Sequence, residues 1–277
     1  MMRTIPFWKM SGSGNDFVVV DHRTPQMADA EIRSFVTQIC RRGLSVGADG
    51  VILLAPSRRA DYSWRFYNAD GSEAAMCGNG SRCVARYAYL KKIAPARHVI
   101  ETAAGLVQAE VSDAGRVRVH LPDPHDMRLQ LDIPVDSVTL EGHFIDTGVP
   151  HIVYFVDLVD AINVVRQGRA TRQHPLFRPA GTNVNFVKVV DATTLKIRTY
   201  ERGVEDETLA CGTGAIAAAV IAAALGKVAP PVTVMTRGGI DLGIDFKQDG
   251  AVFTNVFLTG DARVVCTGEI PDEAWRV

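Results

Sequence analysis

The sequence predicts an α/β (α+β) protein built from two structurally similar domains related by a pseudo-twofold, each a sheet curled around a central helix. Three observations lead there. The pattern E-x-x-x-C-G-x-G occurs twice, as "EAAMCGNG" from Glu73 to Gly80 and as "ETLACGTG" from Glu207 to Gly214. Its surroundings recur as well: "RFYNADG" or "RTYERG" before it, a helix after it, then "TAAG" or "TRGG". Thr102 follows Cys77 by 25 residues, and Thr236 follows Cys211 by 25. Recurrence of a whole ordered block marks a duplicated unit. Finally, "AIAAAVIAAAL", after the second cysteine, is apolar on every side. Such a helix has to be surrounded by protein.

Element by element, "FVVVD" (17–21) reads as a buried strand. "DAEIRSFVTQICRRG" (29–43) carries an apolar stripe at helical spacing, Ile32, Phe35, Val36, Ile39 and Cys40. Asp29 can cap that helix and Gly43 can end it, which leaves Cys40 as a core thiol. Strands follow at "GVILLA" (50–55) and "YSWRFY" (62–67), then a helix near 79–92. "RVRVHLP" (116–122) alternates like a half-buried strand, and "DPHDM" reads as a connector. The second half continues with "HIVYFV", "NFVKVV", "LKIRTY", the cysteine helix, "VTVMT" and further strands. The domains are expected to be residues 1–123 plus 268–277, carrying Cys77, and 124–267, carrying Cys211.

Composition narrows the function. The chain has 277 residues, 47% of them hydrophobic, and a net charge of −1. It lacks the basic footprint of a nucleic-acid binder. The longest apolar run is too short to span a bilayer. The opening stretch "MMRTIPFWKM" lacks the apolar run expected of a signal peptide, and five cysteines without framework spacing fit reduced thiols. A cytoplasmic protein is expected, with neither nucleic acid nor membrane as partner; a homodimer is left open.

The repeat places each cysteine just before a helix. A helix N-terminus presents unpaired N–H groups and partial positive charge, which lower a thiol pKa and attract carboxylates. Two domains would bring two such sulfurs to one cleft. Opposed thiols suit inversion of a stereocentre beside a carboxylate: a thiolate removes the α-proton from one face and a thiol delivers a proton to the other. Other readings compete. A redox disulfide usually shows C-x-x-C, which is absent. Cys77 and Cys83 are spaced too widely for an ordinary zinc pair, with no histidine near. Gly212, Gly214 and Ala217 match G-x-G-x-x-A, but no acidic residue lies between Glu207 and Asp241. A carboxylate-binding module without turnover would keep the loops but would not need both cysteines. Glu73 and Glu207 read as residues that favour the helix N-terminal region.

The stretches "GSGNDFVVVD", "FYNADGSEAAMCGNGSRCVARY", "PHIVYFV", "GTNVNFV" and "TYERGVEDETLACGTGAIAAA" together resemble the diaminopimelate epimerase family. The resemblance implies two domains, each a curved, mostly antiparallel sheet around a central helix, with the active site between them. It implies a pyridoxal-independent enzyme, with no cofactor and no metal, that interconverts LL- and meso-diaminopimelate for lysine and peptidoglycan precursors. By motif, Cys77 and Cys211 are its acid/base thiols, and His151 and Glu201 resemble residues that tune them. Gly78, Asn79, Gly212 and Thr213 would hold the reacting carboxylate. Asn15, Asn68, Asn183, Glu201 and Arg202 would bind the rest of the substrate; Asn68 also fits a turn and His151 a backbone-satisfying role. Cys83 and Cys266 are left as structural. Two positions depart from the pattern. "GVPH" has Val149 where many members have asparagine, and "GADG" has Gly50 where some have glutamine. These leave open a cofactor-independent racemase of another amino acid, such as histidine.

Overall fold

The computed structural model describes residues 4–112, 114–135 and 138–276. The chain divides into two compact units, Met1–Val119 with Gly260–Val277, and His120–Thr259. The first unit contains β1 (Thr4–Gly12), β2 (Asn15–Asp21), α1 (Asp29–Ile39), β3 (Gly50–Ala55), β4 (Tyr62–Asn68) and β5 (Glu73–Ala74). After these come α2 (Gly78–Leu90), β6 (Arg97–Thr102), β7 (Gly105–Val111) and β8 (Arg116–His120). The second unit opens with β9 (His125–Val135), β10 (Val138–Asp146), β11 (Pro150–Phe155), α3 (Val164–Arg172) and β12 (Asn183–Asp191). It continues with β13 (Thr194–Glu201), β14 (Asp206–Thr208), α4 (Gly212–Ala224), β15 (Val232–Met235), β16 (Asp241–Asp249) and β17 (Val252–Asp261). Last is β18 (Arg263–Pro271), which pairs antiparallel with β1. That pairing is why the units divide before Gly260, where the sequence reading divided them after 267.

The duplication is explicit in the strand pairing. In the first unit β1/β2 is antiparallel, β2/β3 parallel, β3/β4 antiparallel and β4/β6 parallel, with β6, β7 and β8 continuing antiparallel. In the second, β10/β11, β11/β12, β12/β13, β13/β15, β15/β16 and β16/β17 run in that same order of senses. Parallel neighbours need a long crossover, and each unit supplies two helices for the purpose, α1 and α2 or α3 and α4.

Strands β2 and β3 are buried on both faces, so "FVVV" and "GVILL" read as continuous apolar runs without alternation. Val18, Val20, Val51 and Leu53 pack against Ile32, Phe35, Val36 and Ile39 of α1. Ala28 takes the N-cap position expected of Asp29, its N–H donating to Glu31 Oε2 at 3.0 Å. The helix ends at Ile39, short of Gly43. The segment read as a connector, "DPHDM", runs into β9 at His125. In the second unit α4 touches β10, β11, β12, β13, β15 and β16. Every residue from Gly214 to Ala223 is buried, as an all-apolar helix requires. Among the described residues, no helix is long and apolar enough to cross a membrane.

Candidate active site

Each cysteine of the repeat occupies the N-cap position of its unit's central helix. Cys77 is extended (φ −150°, ψ 113°) and its Sγ accepts the Gly80 N–H at 3.4 Å. Cys211 is extended (φ −122°, ψ 112°) and its Sγ accepts the Gly214 N–H at 3.4 Å. An N-cap side chain normally offers oxygen to the N–H three residues on; here sulfur takes that place. A helix N-terminus and its N–H donors favour negative charge at such a position. The core cysteines experience the reverse: burial pushes Cys40 up to about 11 and raises the fully buried Cys83 still further above its ordinary value.

In the first unit a polar chain braces the turn that follows Cys77. Asn79 donates from Nδ2 to Asn15 Oδ1 at 2.5 Å, and Asn15 donates to Asp49 Oδ2 at 3.2 Å. Arg82, fully buried one turn into α2, donates to Asn79 Oδ1 (2.9 Å), Ser13 Oγ (2.7 Å), the Asp261 carbonyl (3.2 Å) and the Gly78 carbonyl (3.4 Å). Buried guanidinium donors need acceptors, and these four fix the backbone at Gly78 and Asn79. Asp16 lies just beyond, gripped by Lys9 at 2.8 Å and by Arg42. Asn68 closes β4 on the surface, where its Nδ2 donates to Ser72 Oγ at 3.0 Å and so pins the 68–72 turn.

The second unit holds Cys211 and the remaining expected residues. Thr213 Oγ1 lies 3.4 Å from the sulfur. Thr147 Oγ1 donates to the Thr213 carbonyl at 3.2 Å, which brings the Thr147–Val149 loop to the start of α4. Asn183 donates to the Pro150 carbonyl (3.0 Å) and accepts the Arg202 N–H (2.8 Å), while the Arg202 guanidinium reaches the Ala180 carbonyl (3.1 Å). Glu201, the last residue of β13, adjoins Arg202. His151 is wholly buried, and burial together with the Arg202 charge pushes it down to about 3. It is therefore a neutral ring at ordinary pH, able to hydrogen-bond but not to carry charge.

The repeated glutamates sit on the short strands β5 and β14, not on the helix ends, and each pairs with the arginine of the preceding long strand. Arg65 reaches Glu73 at 3.4 Å, and Arg198 reaches Glu207 at 2.7 Å. Arg237 adds a second contact to Glu207 at 3.0 Å. The sequence reading passed over Arg82 in the first unit and Asn185 and Thr199 in the second. Asn185 Nδ2 lies 3.1 Å from His151 Nδ1, and Thr199 donates to Asn185 Oδ1 at 3.0 Å. A signal for them existed: comparing the two copies position by position shows polar residues in one where the other is apolar. Among the described residues, no group of three or more histidine, cysteine and acidic side chains is placed to hold a metal ion.

The family model described as diaminopimelate epimerase matches residues 7–125 and 143–265. A diaminopimelate epimerase of Aquifex aeolicus (strain VF5) is 46% identical, the alignment covering 96% of this chain and 98% of that protein. One of Archaeoglobus fulgidus is 42% identical, with 95% of each chain covered. Among solved structures, a phenazine biosynthesis protein of the PhzF family from Bacillus anthracis superposes with a TM-score of 0.75 at 15% identity, covering 97% of this chain and 99% of that one. A hydroxyproline epimerase from Agrobacterium vitis, with bound trans-4-hydroxy-L-proline, gives 0.68 at 18% identity, covering 99% and 98%. At such identities these two likenesses speak for the fold alone.

Proposed function

The chain belongs to the diaminopimelate epimerase family, and from that premise we propose that it interconverts LL- and meso-2,6-diaminopimelate with Cys77 and Cys211 as the two proton carriers. It is an isomerase. The thiolate of one cysteine takes the α-hydrogen as a proton, and the C–H electron pair passes into the adjacent carboxylate. The thiol of the other cysteine then gives its proton to the opposite face of that carbon. The S–H and C–H bonds formed balance those broken, and the sulfurs have exchanged protonation states.

One observation supports this reading above the rest: both cysteines cap the central helix of their unit with the same 3.4 Å contact to the second glycine of C-G-x-G. Helix N–H groups at Gly78–Asn79 and Gly212–Thr213 would meet charge as it develops on the carboxylate, where preorganised donors are most effective. Arg202 suits a second carboxylate, which guanidinium binds in a fork; Asn15, Asn68, Asn183 and Glu201 are proposed around that distal end. We place the reaction in the cytoplasm, in the supply of lysine and peptidoglycan precursors.

A second reading, a racemase of another amino acid, is favoured by Gly50. A β-carbon there would lie 2.5 Å from the Tyr67 carbonyl and 2.7 Å from Phe66, so this backbone has no room for the glutamine of some members. One experiment separates the readings. LL-diaminopimelate is incubated in deuterated water with the wild type, Cys77→Ala and Cys211→Ala, beside histidine, glutamate and proline. The expected result is meso product deuterated at one α-carbon from the wild type and no turnover from either variant. Substantial turnover by either alanine variant defeats the two-thiol assignment. Exchange with histidine instead of diaminopimelate would leave the mechanism and replace the substrate.

A further inference from the structure

We propose that Asn185 is a positioning residue that locks His151 as a neutral imidazole with its proton on Nε2. The reaction this serves is the one proposed above; the tautomer itself is read from hydrogen bonds alone.

The amide orientation settles the matter. Asn185 Nδ2 lies 2.9 Å from the Ile152 carbonyl. A carbonyl only accepts, so the atom facing it is the NH2 group. The amide oxygen faces the other way and accepts from Thr199 Oγ1 at 3.0 Å. The second hydrogen of the NH2 points to His151 Nδ1 at 3.1 Å, which must then hold a lone pair. A neutral ring with an unprotonated Nδ1 carries its hydrogen on Nε2. That Nε2 is buried and makes no hydrogen bond among the described residues. The charge bearing on the ring is that of Arg202, which with burial disfavours the imidazolium.

The internal duplication shows that the same strand register also accommodates apolar side chains. His151 stands opposite Asn183 in β11/β12, as Phe17 stands opposite Gly50 in β2/β3. Two residues on, Asn185 matches Ile52; across the next strand, Thr199 matches Phe66. The first unit thus fills the same backbone with Phe17, Ile52 and Phe66, the two rings edge to face at 5.8 Å. Each set presses on the second glycine of its own motif. Ile52 Cδ1 is 3.3 Å from a β-carbon built on Gly80, and Asn185 Oδ1 is 2.4 Å from one built on Gly214. Apolar packing suffices at the Cys77 helix. At the Cys211 helix the chain instead buries three polar side chains whose bonds converge on one ring nitrogen. A bound imidazolium or a general base at His151 would need Nδ1 or Nε2 free to exchange protons with water, and this arrangement supplies a fixed donor instead.

The test is ¹⁵N NMR of the full-length protein labelled in histidine, with the His151 signals assigned by their loss in His151→Gln. The expected spectrum has a pyridine-like Nδ1 and a pyrrole-like Nε2, unchanged from neutral to mildly acid pH. Asn185→Asp replaces the donor by an acceptor, so the two signals should exchange character and kcat should fall on the order of 10–100-fold, the usual cost of losing a group that orients a working side chain. A pyrrole-like Nδ1 in the wild type overturns the tautomer outright, whether or not Asn185→Asp folds. An exchanged tautomer with unaltered kcat refutes its part in turnover. Failure of the wild type to epimerise diaminopimelate would strike the functional reading and leave the spectrum to decide the tautomer.

Discussion

Replacing each second motif glycine by alanine should have unequal effects. At Gly80 the new β-carbon would find Trp64 Cζ3 at 3.2 Å and Ile52 Cδ1 at 3.3 Å, both ends of apolar side chains. They can yield by a few tenths of an ångström, and alanine gains up to about 1 kcal/mol over glycine in a helix. Gly80→Ala should therefore stay within about 1 kcal/mol of the wild type. At Gly214 the β-carbon would sit 2.4 Å from Asn185 Oδ1. That oxygen belongs to a buried amide held by Ile152, His151 and Thr199. Moving it strains bonds worth about 1 kcal/mol each and exposes buried polar atoms to a penalty of about 1–3 kcal/mol apiece. Against the gain in helix propensity, the net loss is roughly 2–3 kcal/mol. For a chain of this size that is roughly 4–12 °C in Tm. Thermal unfolding followed by circular dichroism measures both variants. If Gly214→Ala melts within about 2 °C of Gly80→Ala, the buried amide is not held as described and the reasoning collapses.

Two further outcomes are expected. For Asp16, burial alone would raise the pKa, but the hydrogen bonds and charges of Arg42 and Lys9 prevail and bring it from 3.8 down to about 2. A depressed carboxyl stabilises the fold above its unfolded pKa and loses that contribution as pH falls through the folded one. Asp16→Asn should cost about 1–2 kcal/mol at neutral pH after solvent screening, the gap to wild type closing between about pH 4 and pH 2. Urea titrations at several pH values check it; a gap independent of pH contradicts the ion-pair account. Gly50→Gln should lose at least about 2 kcal/mol from overpacking against a backbone carbonyl and bring no improvement in kcat/KM. A stable variant with better turnover would show that β3 and β4 part more readily than their register implies.

Much of the fold was legible because the duplicated motif is rigidly spaced and its strands are apolar on both faces. What escaped lacked those signals. In β18 every residue from Arg263 to Glu269 is exposed, so no alternation betrays it. Most of β9 is likewise exposed and it contains Pro134. Helix α3, "VVRQGRATR", has little apolar stripe and a central Gly168. The glycine is needed there because a β-carbon would lie 2.4 Å from Tyr200 Cβ, a tertiary demand that local propensity does not encode. By contrast β6 and β7 alternate in burial and pair through the Thr102–Gly105 hairpin, a pattern the sequence did carry.

The site was legible in its cysteines and less so in what surrounds them, and the reason lies in the duplication. A repeat draws attention to what the copies share: C-G-x-G, Arg65 with Glu73, Arg198 with Glu207. These shared features build the helix start and anchor the hairpin before it, so they explain how a thiol comes to cap a helix in both units. Equal frames, however, would make equal thiols. Difference between them has to come from positions where the copies disagree while the backbone agrees, and Phe17/His151, Ile52/Asn185 and Phe66/Thr199 are three such positions clustered at one point of the frame. Burying polar side chains where the other copy buries apolar ones costs free energy unless every bond is satisfied. Both Asn185 Nδ2 hydrogens and its oxygen are bonded within the protein, and among the described residues of that cluster the buried His151 Nε2 is left to meet something else.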